Sequence, residues 1–355
     1  MITFPFHELE FWYQQFKRDL PWRKFQDAYH VWVSEIMLQQ TQVNNVIPYY
    51  QRFLKKFPTI KALAQAEEED VLPLWSGLGY YTRARNLLKT ARIVTEKFKG
   101  NLPSTFEELL KLPGIGPYTA GAILSIAYHL PYPVLDGNVK RVFSRFFLEK
   151  SNQKLEEIAK HLIDQSYQLK NDPSSFNQSL MELGALVCNP QNPTCLSCPL
   201  QKGCGAFKKN LQSFYPQLTK KNQTQYRFFA LLMAVKKIDG SIKFLVRKRS
   251  KNEQWLKELW EFPMIQLKKD LKVRNKQALL EEFFKIFSQQ TKCKIKECAY
   301  MGNFFHSITH HRLKIHVVKS SLDGSLQGFG PTQWVANKDL KKIASSSILK
   351  KALAL

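Results

Sequence analysis

The sequence predicts two domains, an all-α one followed by an α+β one, and three observations predict them. From residue 6 to about 207 the apolar residues recur at helical spacing, Pro and Gly mark the turns, and no segment alternates convincingly as a strand would. Beyond a polar, basic stretch at 208–225 with few aliphatic residues, the pattern changes to strand-like runs around one amphipathic helix. A chain of 355 residues that is 44% hydrophobic and 13% aromatic has apolar material for a core in each half. The expected division is 1–207, a basic linker at 208–225, and 226–355, with no internal repeats.

In the first half His30–Gln40 reads as a helix with Trp32, Ile36 and Gln39 near one side. Further helices are expected near 43–57, 68–76, 80–98, 104–111, 116–129 and 136–148, and a pair near 154–169 and 173–188 closes the set. Leu74–Tyr81 interrupts them with a glycine turn bearing Tyr80 and Tyr81, followed by Arg83 and Arg85. Aromatic and arginine side chains on a turn suit stacking on bases and pairing with phosphates, although aromatics at helical spacing more often pack in a core. In the second half Tyr226–Val235 and Ile242–Lys248 read as strands meeting at Asp239-Gly240, a hairpin signal. Ala278–Gln289 reads as an amphipathic helix, and Lys296–Phe305, Leu313–Lys319 and the region around Trp334 read as strands.

Charge narrows the partner. Lys and Arg number 53 against 29 Asp and Glu, a formal net charge of +24 that calls for a polyanion. A membrane surface is the competing polyanion, but the N-terminus lacks a basic region followed by an apolar run, and there is no stretch of about 18 uncharged apolar residues. Nucleic acid is the expected partner, and the protein is expected to be soluble, cytoplasmic and nucleoid-associated, and a monomer.

The chain is organised around Leu112–Ser144 (LPGIGPYTAGAILSIAYHLPYPVLDGNVKRVFS). Leu112–Gly116 reads as a tight turn between a short helix with Phe106, Leu109 and Leu110 and a second running from Pro117 to His129. Gly114 and Gly116 permit backbone angles that a side chain would forbid, and Pro117 suits the first helical position. The free N–H groups of the turn lie at the positive end of that helix, where a phosphate oxygen would be held, although such turns also join helices with no ligand. Asp136, opening the next helix, is either an N-cap or a carboxylate set at a fixed distance from a phosphate grip. Glu35 lies in a largely apolar run. It is either on an exposed helix face or buried, and if buried its pKa rises so that it can hold and donate a proton.

Four of the six cysteines, Cys188, Cys195, Cys198 and Cys204, follow C-x6-C-x2-C-x5-C, stiffened by Pro190, Pro193 and Pro199. Four thiolates in one loop suit an iron–sulfur cluster or zinc; only one pair has the knuckle spacing of structural zinc, which favours the cluster. Cys293 and Cys298 sit at strand-like positions and read as core or surface residues.

Taken together, Ser34–Gln42 (SEIMLQQTQ), Gly77–Arg85 (GLGYYTRAR), the LPGIG turn, Leu135–Arg141 (LDGNVKR) and the cysteine spacing resemble the helix-hairpin-helix DNA glycosylases, and within them the adenine DNA glycosylases of the MutY family. The resemblance covers essentially the whole chain, strongly over residues 10–207. It implies an all-α helix-hairpin-helix glycosylase domain with an iron–sulfur loop and an α+β MutT-like (Nudix-fold) C-terminal domain. It implies hydrolysis of the N-glycosidic bond of adenine mispaired with 8-oxoguanine or G in double-stranded DNA, the adenine being rotated out of the duplex. Glu35 would protonate adenine N7, and Asp136 would stabilise the charge growing on the deoxyribose, either as an ion or through a transient covalent adduct as in retaining glycosidases. Asn138 would support the sugar and phosphate side, and Tyr118 would sit beside Asp136. Glu35 is expected in the more apolar setting and Asp136 in a polar, hydrogen-bonded one.

By the same resemblance Trp22 and Arg23 would line the adenine pocket and Gln178 would hydrogen-bond the base. Gln40 and Tyr80 would wedge into the duplex, Gly114 and Gly116 would present phosphate-binding N–H groups, and the cysteine quartet would hold a [4Fe-4S] cluster. The alternative is a bifunctional, endonuclease III-like pyrimidine-lesion glycosylase and lyase. Those relatives carry a lysine where this chain has Tyr118, which argues for a monofunctional enzyme. The family's lesion-reading loop carries Phe-Ser-His; the nearest match, Ile308-Thr309-His310, keeps a hydroxyl and lacks the aromatic, so lesion reading falls to Thr309 and His310. The Nudix hydrolase signature is missing, with only the fragment Leu279-Leu280-Glu281-Glu282, so this domain is expected to read DNA without hydrolysing nucleotides. His306, His310 and His311 lack a nearby cysteine or carboxylate set and read as loop histidines rather than metal ligands.

Overall fold

A computed structural model describes residues 4–217, 223–271, 276–291, 294–323, 326, 328–340 and 342–355. Cys293 and part of the expected linker lie outside the described residues. The chain forms two compact units, residues 1–66 with 82–220, and residues 67–81 with 221–355. The units change over between residues 220 and 221, and residues 67–81, embedded in the helical half of the sequence, belong to the second unit. Local patterning gave no sign of this.

The first unit is helical: α1 Phe6–Phe16, α2 Ala28–Leu38, α3 Val43–Lys56 and α4 Ile60–Ala64 precede the excursion that carries α5, Glu68–Trp75. After it come α6 Thr82–Lys97, α7 Phe106–Leu110, α8 Pro117–Ile126, α9 Gly137–Phe147, α10 Asn152–Gln168, α11 Pro173–Leu186 and α12 Gly205–Lys208. The stretch 208–225 is not all linker. Lys208 ends α12, and Gln212–Phe214 forms a 3-10 turn whose flanks are held where Arg145 Nε donates to Gln212 O at 3.1 Å and Tyr215 O at 2.8 Å.

Two helices are buried on nearly every face, as apolar content all round a helix requires. In α2, capped by Asp27 accepting from the Tyr29 and His30 N–H groups, residues Val31 to Met37 are all buried, Glu35 among them. In α8, residues Thr119 to Ile126 are all buried. Gly121 of α8 is required there, since a Cβ would meet Pro133 O at 2.8 Å. That close approach lets the extended segment leading to Asp136 lie on α8, and Asn177 secures it by donating to Tyr132 O at 2.9 Å and accepting from Val134 N at 3.1 Å. Helix α8 ends at Ile126 rather than His129, because Pro131 and Pro133 follow and His129 takes a left-handed φ of 55°.

The second unit has a seven-stranded sheet built from β1 Gln225–Ile238, β2 Ser241–Lys248, β3 Trp260–Glu261, β4 Met264–Leu267, β5 Lys294–Ile308, β6 His311–Asp323 and β7 Thr332–Ala336, in the order β3-β2-β1-β6-β5 with β4 on β1 and β7 on β2. Strand β1 pairs antiparallel with β2 through a turn at Asp239 and Gly240, both left-handed, and parallel with β6. Its alternate residues feed two cores. Phe229, Leu231 and Met233 pack with helix residues Ile348, Leu349 and Ala352, whereas Ala230, Leu232 and Ala234 pack with Leu279, Phe283 and Phe287. The two helices are α13, Lys276–Thr291, and α14, Ser347–Leu353. Among the described residues no helix is long and apolar enough to cross a membrane.

Candidate active site

A cleft of about 480 Å3 opens in the first unit, and Trp22, Arg23, Glu35, Gln40, Tyr118, Asp136, Asn138 and Gln178 all line it. The N-terminal turn brings Trp22 and Arg23, α2 brings Glu35, and the start of α8 brings Tyr118. Asp136 and Asn138 come from the start of α9, and Gln178 from α11.

Glu35 is buried, and the Tyr118 hydroxyl donates to its Oε2 at 2.7 Å. Burial pushes its pKa up to about 7, the Tyr118 hydrogen bond opposes this, and the neighbouring Asp136 charge adds to it. Burial also holds the Tyr118 hydroxyl far above the usual tyrosine range, so it stays a donor. Asp136 caps α9, its Oδ1 accepting from Val139 N at 2.7 Å and its Oδ2 from Asn138 Nδ2 at 2.9 Å. Capping and facing the cleft are therefore one placement, and the two readings of Asp136 do not compete. Burial raises its pKa, against the Val139 and Asn138 hydrogen bonds and the positive Arg141.

Two side chains expected to reach toward DNA also hydrogen-bond within the protein. Asn138 holds Asp136 through its amide and accepts from Arg141 Nη2 at 2.8 Å, while Gly184 of α11 leaves it room, since a Cβ there would meet Asn138 Cβ at 2.5 Å. Gln178 accepts from the Tyr13 hydroxyl at 3.3 Å and donates to Ser174 Oγ at 3.0 Å. Arg83 is likewise a structural group: its Nη1 donates to Ile36 O, Met37 O and Gln39 O, closing the end of α2 where Gln40 turns left-handed at φ 55°.

The sequence reading missed Glu182 and Arg18, both of which line the cleft. Glu182 is 1% exposed, accepts from Arg18 Nε and Nη2 at 2.8 Å each and from Arg23 Nη2 at 2.9 Å. Burial works to raise its pKa but is outweighed by hydrogen bonds from Arg18 and Arg23, and it falls to about 2. The available signal was helical: Gln178 and Glu182 lie four apart on α11 and share a face.

At the Leu112–Gly116 turn only Gly114 needs to be glycine for its backbone, at φ 80°; its Cβ would also meet the Asn86 side chain at 2.8 Å. Gly116, at φ −99°, has a backbone any residue adopts, but a Cβ there would meet nothing within 4 Å, so this surface is open. In the second unit Tyr80 is exposed at φ 49°, and Thr309 and His310 form the two-residue turn between the paired Ile308 and His311. The Thr309 hydroxyl donates to Ile308 O at 2.7 Å. Burial, with Lys351 nearby, pushes His306 down to about 4, leaving a neutral ring.

The cysteines Cys188, Cys198 and Cys204 pack against the core that contains Phe143 and Phe146, and Cys198 is influenced by the other three thiols. Burial raises the Cys198 thiol to about 12 and Cys204 in the same direction. Among the described residues, however, no group of three or more His, Cys, Asp or Glu is gathered closely enough to hold a metal ion. The buried Arg145 supports the loop, donating from Nη1 to Cys188 Sγ at 3.4 Å and to Asn189 O at 2.7 Å, and from Nη2 to Pro190 O at 3.0 Å. An all-thiol donor set beside a fixed guanidinium fits a thiolate-held cluster, because the cation offsets charge that accumulates on sulfur.

Comparison with known proteins places the chain in a family. Residues 33–165 match the HhH-GPD superfamily of base excision DNA repair proteins, and residues 232–355 match the NUDIX domain. The chain is 38% identical to the adenine DNA glycosylase of Buchnera aphidicola subsp. Acyrthosiphon pisum, over 87% of this chain and 84% of that one. It is 34% identical to the adenine DNA glycosylase of Mus musculus, over 97% of this chain and 76% of that one. Among solved structures a thermostable thymine-DNA glycosylase superposes with a TM-score of 0.51 and 28% identity, over 57% of this chain and 94% of that one. With its buried acid and capped aspartate in one cleft of a helical glycosylase unit, the chain belongs to the adenine DNA glycosylases and is a base-excision-repair enzyme acting on adenine in DNA.

Proposed function

We propose that the enzyme removes adenine paired with 8-oxoguanine or with G, as a monomer and without strand cleavage of its own. The observation that carries the catalytic reading is the pairing of a Glu35 that keeps its proton to about pH 7 with an Asp136 held by two N–H donors in the same cleft. Glu35 donates its proton to adenine N7, the C1′–N9 bond breaks with its electron pair leaving on adenine, and the Asp136 carboxylate stabilises the positive sugar. Water then adds at C1′ and gives its proton to the Glu35 carboxylate, which restores the acid. Asn138 keeps Asp136 aimed, and with the positive Arg141 it acts against the burial that raises the Asp136 pKa. Trp22 and Arg23 wall the base pocket, and Gln178 braces that wall from behind.

Tyr118 supports the monofunctional reading, since its hydroxyl is protonated and committed to Glu35 where a lyase needs a free amine. Gly114 and Gly116 offer backbone N–H groups to a phosphate, and Gln40 and Tyr80 enter the duplex. Thr309 and His310 read the base opposite adenine. Cys188, Cys195, Cys198 and Cys204 would hold a [4Fe-4S] cluster, which when bound ties the 188–204 loop into one rigid piece.

The test is to incubate the protein with duplexes carrying A opposite 8-oxoguanine, A opposite G, or oxidised thymine, with and without alkali. Adenine release with strand breaks that appear only after alkali is the expected result. Breaks without alkali, or release of the oxidised thymine, would overturn it. Iron content and absorbance near roughly 400 nm, the charge-transfer region of iron–sulfur thiolates, check the cluster, and zinc without iron would remove it.

A further inference from the structure

Residues 67–81 sit in the second unit although the chain on either side of them in sequence belongs to the first. One buried carbonyl holds them there. Ser345 O accepts from Ser76 Oγ at 2.6 Å and from the Tyr81 hydroxyl at 3.1 Å, which uses both of its lone pairs. That carbonyl is itself fixed on both sides. Trp260 N donates to Ala344 O at 2.8 Å, Trp260 and Ser345 form a parallel bridge, and Ser346 caps α14 by accepting from Ile348 N at 3.2 Å.

Inside the turn, Trp75 Nε1 donates to Gly79 O at 3.0 Å and Gly77 N donates to the Tyr81 hydroxyl at 3.3 Å. Gly77, Gly79 and Tyr80 have φ of 108°, 77° and 49°. A non-glycine residue in that region is held by its surroundings rather than by its own preference, and Tyr80 lies within this clamped turn. Helix α14 then joins the turn to the lesion-reading hairpin. Lys350 Nζ donates to Ser76 O at 3.2 Å, and its neighbour Lys351 donates to Phe305 O at 2.8 Å on β5, the strand that ends at the Thr309 turn.

We propose that Ser345 and α14 bind the Tyr80 turn and the Thr309–His310 hairpin into one opposite-base reader, with Ser76, Tyr81 and Lys350 as positioning residues for the choice of the base opposite adenine. This rests on the reading above, in which Tyr80 and the hairpin meet DNA. The clamp sets the orientation of Tyr80 toward the opposite base, while the acid chemistry of Glu35 and Asp136 proceeds in the other unit.

The experiment is single-turnover adenine excision by the full chain from duplexes with A opposite 8-oxoguanine and A opposite G. It compares the parent, the Ser76→Ala/Tyr81→Phe double variant, and Lys350→Met, which changes only an exposed side chain. Loss of two hydrogen bonds should lower the ratio of the two rate constants about tenfold in the double variant and about twofold in Lys350→Met, with the A·G rate within about twofold of the parent. Amide exchange at residues 77–80 should be about tenfold faster in the double variant, a readout independent of activity. A parent-like ratio, equal loss on both duplexes, or unchanged exchange would each overturn the proposal. A parent with no preference for 8-oxoguanine would overturn the opposite-base reading and this proposal together, whereas a preference that survives the double substitution overturns this proposal alone.

Discussion

Glu35 and Glu182 line one cleft, are both buried, and end at opposite extremes: the first is pushed up to about 7 and the second down to about 2. Burial acts on both in the same direction, so burial does not explain the difference. The partners do. Glu35 faces one neutral hydroxyl and, across the cleft, the like charge of Asp136; Glu182 faces two guanidiniums that between them donate through four N–H contacts counting the Arg18 backbone. A carboxylate with a neutral donor keeps its proton and can give it away, whereas one with cations is fixed as an anion and becomes architecture. Glu182 thus holds Arg18 and Arg23 in the wall, and Arg23 lies over the Tyr13 ring at 5.5 Å.

The largest way to break this contrast is Glu35→Gln, which removes the proton and keeps the shape. Adenine release should fall about a thousandfold while mispair binding persists, measured by single-turnover kinetics and by binding to a non-cleavable duplex. Near-parental turnover would take Glu35 out of the acid role. The same variant should be more stable than the parent at alkaline pH. Glu35's folded pKa lies above its ordinary 4.5, so folding loses stability as pH rises from about 4.5 to about 7, and the neutral amide escapes that loss, by about 3 kcal/mol at most. Glu182→Gln should act in the opposite sense on stability, leaving two guanidiniums against a neutral amide at a cost of about 3–5 kcal/mol in thermal or urea unfolding of the helical unit. An unchanged midpoint would show that the arginines find water instead. Because Glu182's folded pKa is depressed, its contribution is present above pH 4.5 and is lost as pH falls toward about 2.

The contrast also marks how far sequence alone reaches. Glu35 was open between an exposed and a buried helix face because a run such as Val31–Met37 is apolar on every side, and only packing of α2 against α8 decides it. Asp136 was legible because an N-cap is a local event, set within the three residues that follow. The Phe229–Ala234 run announced a strand, and its two-sided burial needed α13 and α14 to be seen. Glu182 escaped because its partners Arg18 and Arg23 lie more than 150 residues away. Residues 67–81 escaped for the same reason on a larger scale: their partner, Ser345, is 269 positions from Ser76, and nothing in a helix followed by a glycine turn encodes which unit it will join. Local signals gave the elements and caps, while charge pairing and unit membership came from distant contacts.

The smallest change sharpens the comparison most. Tyr118→Phe removes the single hydrogen bond that draws Glu35 toward its ionised form and leaves burial and the Asp136 charge in place. The sign follows directly: with that donor gone the carboxylate is less favoured, so Glu35's pKa rises further above about 7 and the acid stays protonated to higher pH. The limb of the excision rate that falls with rising pH should move up by about one unit, the worth of one charge-assisted hydrogen bond. The rate on the acidic plateau should change only a few-fold, since Glu35 is already protonated there. A limb that stays put would mean that another group sets it, whereas a limb that moves down would mean that the hydroxyl stabilises the protonated acid. Strand breaks should still require alkali, because phenylalanine supplies no amine.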